Sequence, residues 1–327
     1  MQKPVVAIVG TGGTIASIYD PKIGGHIPAV SAEQLVSAVP ELHDVAEIRT
    51  IEHTIMSSAS IDSPTVFALR DTLRKVLAHN DVAGAVVSHG TATLEETAYL
   101  MDLTLGAHKP VVVMGSTRNF DEKDSDAPRN LLYAAKVAVD PASAGRGVLV
   151  SMGGEIHAAR EAVKAHTRNV NAFASRDGGI LGMVTKDAVT YFNRPERRLH
   201  LEVDHVKTNV QFLVMTQGAN DHLPRACLHH RVDGIVVAGV GGGHVNVPWF
   251  DALCDALQAG IPVVMSTRAV AGPTHLSKAY PGSLPSLVKR GAIAAGYMSG
   301  IKARILLMVA LAHTQNRDEL RSIFARA

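Results

Sequence analysis

Three segments of this 327-residue chain set hydroxyls and an amine where a ligand could meet them. The first, Gly10-Thr11-Gly12-Gly13-Thr14-Ile15-Ala16-Ser17, ends an apolar run in a glycine-rich turn. Such a turn lets the backbone approach a ligand closely and places hydroxyls at a strand end. It lacks the third glycine of the dinucleotide fingerprint, and no G-K-[ST] follows for a phosphate loop. Taken alone it reads as an ordinary strand-to-helix connection. The second, Ser88-His89-Gly90-Thr91-Ala92-Thr93-Leu94-Glu95-Glu96-Thr97-Ala98, puts Thr93 and Glu96 at capping-box spacing. Glu95 and Glu96 then belong to a first helical turn, where the dipole favours them, and Thr91 is left exposed in the turn before it. The third is Arg160-Glu161-Ala162-Val163-Lys164, in which Lys164 on its own reads as a solvated surface lysine.

These segments need strands that end beside one another. Short β-rich apolar runs at Val5–Val9, Gly84–Val87, Val111–Met114 and Val148–Ser151 are each followed by Gly, Ser or Thr, as buried parallel strands are. Helix-period stretches at Thr65–Leu77, Leu94–Leu105 and Arg129–Val139 lie between them. The alternation predicts an open α/β sheet covered on both faces, with ligands gathering at the carboxyl ends of the strands. The second half repeats the pattern with strands at Val210–Met215, Gly234–Ala238, Pro262–Met265 and Ala292–Ala295. Its helices are expected at Trp249–Gln258, Ile301–Ala312 and Asp318–Phe324. Residues 191–207, with Pro195, Arg197, Arg198 and Glu202, show no periodicity and read as a linker. The expected organisation is a larger N-terminal α/β domain over 1–190, the linker, and a smaller C-terminal α/β domain with an open parallel sheet over 208–327.

Taken together, the segments resemble the bacterial-type L-asparaginase and glutaminase family over nearly the whole chain. The matches, in order, are T-G-G-T-I-A at Thr11–Ala16, A-V-P-E-L at Ala38–Leu42 and H-G-T-x-T-x-E-E-T-A at His89–Ala98. K-P-V-V at Lys109–Val112, R-G-V-L-V at Arg146–Val150, A-G-V-G-x-G at Ala238–Gly243 and K-A-R-x-L-L at Lys302–Leu307 continue them. The resemblance implies two α/β domains and a homotetramer of close dimers, with each site formed between one subunit's N-terminal domain and a neighbour's C-terminal domain. It implies amide hydrolysis through a threonine acyl-enzyme without a metal or organic cofactor. Thr14 matches the nucleophile, and Thr91 the second threonine, whose hydroxyl is linked to the lysine matched by Lys164. A threonine hydroxyl is a poor nucleophile until a base takes its proton, and burial can lower a lysine pKa far enough to serve. Gly90 and neighbouring turn amides would stabilise the oxyanion. Ser58 matches a carboxylate-binding serine.

Other positions depart from the family. An aspartate that binds the substrate's α-amino group is replaced by Ala92, and a substrate-binding glutamine by Ala59. A third amino-group contact, a glutamate from the neighbouring subunit, is expected between Gly272 and Gly300, where no glutamate occurs. Burying an unpaired ammonium costs several kcal/mol. The expectation is therefore an amidohydrolase for a small carboxylated amide whose α-amine is absent or acylated. Ordinary L-asparaginase activity with rearranged amine binding is the alternative, and a non-catalytic small-amide sensor is the rival from another class. The family's loop tyrosine falls near Gly25 in a shortened loop; Tyr19 is close enough to replace it, His26 is a weaker substitute, and Gly24-Gly25 supplies hinge freedom. His244 stands where an asparagine usually supports the site across the interface. Asp121–Asp126 reads as a solvated charge run, although the resemblance implies that its end, Asp126, lies near the site.

Composition bounds these readings. With 32 basic and 30 acidic residues the formal charge is +2, too small to favour a nucleic-acid or anionic-membrane partner. Cys227 and Cys254 have no metal-site spacing and read as core residues, and the 16 histidines include no H-x-x-x-H pair. No apolar run reaches the roughly 18 to 20 residues of a membrane span, and the N-terminal run lacks the length of a signal peptide. The expected location is the cytoplasm.

Overall fold

A computed structural model describes residues 3–195 and 198–327; Arg197 of the expected linker lies outside them. The chain divides into two compact units, Met1–His200 and Leu201–Ala327. In chain order, unit one contains β1 (Val5–Gly12), the hairpin β2 (Ser17–Asp20) and β3 (Gly25–Pro28), α1 (Ala32–Ser37), α2 (Leu42–Val45), β4 (Glu47–Met56), α3 (Ser63–Leu77), β5 (Val82–Ser88), α4 (Leu94–Thr104) and β6 (Val111–Met114). Then follow α5 (Ala127–Val139), β7 (Val148–Met152), β8 (Glu155–Ala158), a second hairpin of β9 (Ala162–Lys164) and β10 (Phe173–Ser175), β11 (Gly182–Val184) and β12 (Val189–Tyr191).

Eight of these strands form one mixed sheet in the order β12-β11-β8-β7-β6-β5-β1-β4. The pairs from β4 to β7 are parallel; those from β7 to β12 are antiparallel. Every residue of β1 is buried, as expected for a Val/Ile-rich strand covered on both faces. Helix α5 lays Leu131, Ala134, Ala135 and Ala138 on Val6, Ile8, Val86, Val112 and Leu149 of the sheet. Burying each branched side chain there contributes about 1.5–3 kcal/mol relative to exposure. Helix α3 begins where Asp62 accepts from the Thr65 backbone N–H at 3.0 Å, and it buries Val66, Phe67, Leu69, Arg70, Leu73, Val76 and Leu77 along one stripe.

The order of the sheet matters for chemistry. β1 has β4 on one side and β5 on the other, so the loops leaving the carboxyl ends of β1, β4 and β5 open around one crevice.

Unit two holds β13 (Val210–Val214), α6 (His222–His229), β14 (Gly234–Gly239), α7 (Val247–Gln258), β15 (Val263–Thr267), α8 (Leu284–Lys289), β16 (Ile293–Ala294), α9 (Gly300–His313) and α10 (Arg317–Arg326). Its four strands are parallel and lie in sequence order. Trp249, Leu253 and Leu257 of α7 pack with Ile235, Val237, Val263 and Met265, and both cysteines are buried and free in that core.

Several elements escape periodicity. β4 is a partly exposed edge strand carrying Glu47, Arg49, Glu52 and His53, so its pattern reads as polar. The three-residue strands β9 to β12 are too short to show a period, and their pairing comes from tertiary contact.

Candidate active site

Three turns at adjacent strand ends meet through glycine. Gly13, after β1, has φ 84°, and a Cβ built there would lie 2.2 Å from Gly90 Cα. Gly90, after β5, could hold no Cβ either, because it would fall 2.6 Å from Ser58 Oγ. The residues after β1, β4 and β5 are thus pressed together at backbone distance, and Thr14, Ser58 and Thr91 are gathered at one place. Other hydroxyls hold the frame. Thr11 Oγ1 donates to Ser88 O at 2.8 Å and Ser17 Oγ to Gly13 O at 2.8 Å. Among the described residues Thr14 Oγ1 and Ser58 Oγ have no hydrogen-bond partner, which leaves both hydroxyls available to a ligand.

Thr91 is buried, not exposed as the turn chemistry predicts. Its methyl packs against Gly115, where a Cβ would come within 3.0 Å of it, and Lys164 Nζ reaches its hydroxyl at 2.7 Å. Lys164 is therefore no solvated surface lysine. It ends β9, opposite Phe173 of β10, and burial of its amine pushes its pKa down. His89 sits beneath the same turn, fully buried, and burial lowers its pKa to about 4. It is neutral at neutral pH, and its Nδ1–H donates to Gly90 O at 2.8 Å, which fixes that turn.

Thr93 departs from expectation. It is the N-cap of α4, yet its side chain makes no capping bond; Oγ1 donates instead to Ser58 O at 2.7 Å. This hydroxyl ties the Ser58 turn to the Thr91 turn, a long-range use that local spacing cannot reveal. The charge run is also only partly solvated. Asp126 is buried and accepts from the backbone N–H groups of Thr117 and Arg118 at 3.0 Å each and from Asn130 Nδ2 at 3.0 Å, holding the turn after β6. Asp121 grips the β2–β3 hairpin, accepting from Tyr19 N at 2.8 Å and lying 3.4 Å from His26 Nε2.

Tyr19 lies on that hairpin, 52% exposed, opposite His26 and edge-on to its ring at 5.6 Å. Among the described residues no hydrogen bond joins its hydroxyl to Thr14. In unit two, His244 is buried; its Nδ1 accepts from Leu284 N at 3.1 Å, and its ring meets those of His275 and Tyr280 at 5.5 and 5.8 Å. Burial, and then the neighbouring His275 and Lys278, hold its pKa down.

Comparison with known proteins gives the family. The family described as "Asparaginase, N-terminal" matches residues 5–197, and "Glutaminase/Asparaginase C-terminal domain" matches residues 209–324. The chain belongs to the asparaginase family. It is accordingly an amidohydrolase acting on carbon–nitrogen bonds other than peptide bonds. A "Probable L-asparaginase" of Deinococcus radiodurans is 36% identical to this asparaginase-family chain, over 99% of this chain and 98% of that one. A "Probable L-asparaginase periplasmic" of Haemophilus influenzae is 34% identical over 98% of this chain and 92% of its own. The crystal structure of a "Probable Cytoplasmic L-asparaginase from Campylobacter jejuni" superposes with a TM-score of 0.91 at 32% identity, covering 99% of this chain and 100% of that one.

Within this family member, the two substituted positions border the converging turns. Ala92 follows Thr91 and Ala59 follows Ser58, and both are exposed. Each presents a methyl group beside those turns. The roles of His89, Thr93 and Asp126 in supporting the site are visible only in three dimensions.

Proposed function

We propose that this enzyme hydrolyses the amide of a small carboxylated molecule lacking a free α-amino group, through a threonine acyl-enzyme. The observation that carries the chemistry is the 2.7 Å contact between Lys164 Nζ and Thr91 Oγ1. A lysine with lowered pKa is neutral in a larger fraction of molecules and can accept a proton. Thr14 Oγ1 attacks the amide carbon, its proton passes to the leaving nitrogen, the C–N bond breaks, and ammonia departs from an ester on Thr14. Water then attacks that ester, giving its proton through Thr91 to Lys164, and the acid is released as Thr14 recovers its proton. Gly90 and the adjacent turn amides bind the oxyanion. Ser58, whose hydroxyl is uncommitted, binds the substrate carboxylate. Tyr19 assists Thr14 when the β2–β3 hairpin folds over the crevice, with Gly24, at φ 74°, as its hinge. No cofactor enters the scheme.

The methyl groups of Ala59 and Ala92 support the specificity. Neither can accept a hydrogen bond from an ammonium, whereas an acylated or missing amine imposes no such cost. L-asparagine is the second reading, favoured by the relatives from Haemophilus influenzae and Deinococcus radiodurans, both named as probable L-asparaginases; in that case His244 or water would accept the amine. We further propose a homotetramer of close dimers, in which residues 208–327 of one copy complete the site on residues 1–190 of another, across a linker at 191–207. Light scattering on purified protein tests that assembly. A cytoplasmic location is supported by the similar Campylobacter jejuni protein, itself described as a "Probable Cytoplasmic L-asparaginase", and cell fractionation tests it.

The test of function is steady-state release of ammonia or amine from L-asparagine, L-glutamine, succinamic acid and N-acyl asparagine, with Thr91→Ala as control. We expect Thr91-dependent turnover with the highest kcat/KM on a compound lacking the free amine. Highest kcat/KM on L-asparagine would replace the first reading with the second.

A further inference from the structure

The geometry points to His157 as a positioning residue for Lys164, acting through Ser175. Lys164 does not stand on the main sheet. It ends β9, which among the described residues pairs only with β10 in a separate two-stranded sheet, and its aim at Thr91 depends on how that hairpin is seated. The register is Lys164↔Phe173, Val163↔Ala174 and Ala162↔Ser175. Side chains on a strand alternate between faces, so Lys164, Phe173, Ala162 and Ser175 share one face of the ribbon. That face is the inner one, with Ala162 fully buried, Phe173 5% exposed and Lys164 bonded to Thr91.

Ser175, at the far end of this face, meets the main sheet. Its Oγ lies 3.0 Å from Nδ1 of His157, a residue of β8 paired with Val150 of β7. Ile156, its neighbour, enters the core cluster that contains α5, so by alternation His157 projects from the opposite face of the sheet, toward the hairpin. Its ring is fully buried, and Nε2 lies 3.6 Å from Glu155 Oε2 with no hydrogen-bond partner. A proton on Nε2 faces that carboxylate and leaves Nδ1 to accept the Ser175 O–H. Burial lowers the His157 pKa to about 4, consistent with a neutral imidazole in this role. The rest of the hairpin is held by backbone bonds at its two ends, Ala165 N to Ala172 O at 2.7 Å and Arg176 N to Glu161 O at 3.2 Å. Those bonds fix the ribbon's shape. The His157–Ser175 bond ties it to β8, two ladder positions from the lysine.

The inference rests on the amidohydrolase reading only for its kinetic readout, so the experiment has two arms. Ser175→Ala removes the donor with almost no change in volume, His157→Leu removes the acceptor, and His157→Asn keeps an acceptor near the Nδ1 position. In the first arm the pH dependence of Lys164 acylation by acetic anhydride is followed by mass spectrometry, without substrate. We expect the Lys164 titration to move up by about one unit in Ser175→Ala and His157→Leu, as the loosened amine gains water, and to stay near wild type in His157→Asn. In the second arm kcat falls about tenfold in the first two variants, with KM within about twofold and the acid limb displaced in the same direction. An unchanged Lys164 titration in both Ser175→Ala and His157→Leu overturns the inference whatever the enzyme hydrolyses, whereas a wild type silent on every amide overturns the function and leaves the first arm to decide the positioning. Should the His157 variants fail to fold, Ser175→Ala alone gives the answer.

Discussion

In the proposed mechanism Thr91 and Lys164 form a proton path because Thr91 is buried and Lys164 half-buried. An exposed lysine holds its proton at neutral pH; here burial lowers its pKa, and the 2.7 Å bond gives that proton a defined partner. On the same reading, the residues bordering the pair set the substrate. Ala92 is next to Thr91 in the chain and is exposed, so a longer side chain there has room. Ala92→Asp is expected to raise kcat/KM for L-asparagine by about tenfold or more relative to succinamic acid, because a charged hydrogen bond to the α-ammonium contributes about 1.5–3 kcal/mol. Kinetics on both substrates decide the matter. An unchanged ratio would mean that the amine is handled elsewhere and that Ala92 does not set specificity.

At the scale of elements, the site is a meeting of turns that only glycine permits. Gly13→Ala would place a methyl 2.2 Å from Gly90 Cα at a backbone φ of 84°. The left-handed conformation alone costs about 1–2 kcal/mol for a residue with a Cβ, and both partners of the clash are backbone. We expect Gly13→Ala to lose about 2 kcal/mol or more in urea unfolding and most of its activity, while Gly24→Ala, with nothing within 4 Å of the added carbon, loses only the smaller conformational part. Equal stability of the two would break the claim that the turns are packed through Gly13. These contacts explain what is legible in the sequence and what is not. Thr14 and Thr91 stand out because they lie in turns that follow apolar strands, whereas Ser58 and Lys164 are marked only by the family resemblance; β1, β5, β6 and β7 are legible because a doubly covered strand is apolar throughout. Thr93 misleads because its capping-box spacing is local whereas the carbonyl that takes its hydroxyl is 35 residues away. Asp126 is hidden in a run of charges, and β4 by the polar residues of an edge. Tyr19 is suggested by its proximity in sequence, while the hairpin holds it beside His26 and Asp121.

Across the molecule, the buried histidines of unit one make stability depend on pH. His89 and His157 are both lowered to about 4 by burial, from an ordinary value of 6.5. Between those values the unfolded chain binds protons that the folded chain refuses, so stability rises with pH through this window and is lost as pH falls from 6.5 toward 4. Each group can forfeit roughly 3 kcal/mol by the bottom of the window, at about 1.4 kcal/mol per unit. The lowered carboxylates Asp62, Asp81, Glu122 and Asp221 act in a different range. Their folded values lie below the ordinary 3.8 for aspartate and 4.5 for glutamate, so what they contribute is lost only as pH falls through and below those values. The histidine effect therefore comes first on acidification. Thermal melts between pH 7 and pH 4.5 should show a falling midpoint, and His157→Asn should flatten that fall by about half, because its amide does not titrate. A midpoint flat down to pH 5 would mean that neither ring is held neutral in the folded protein.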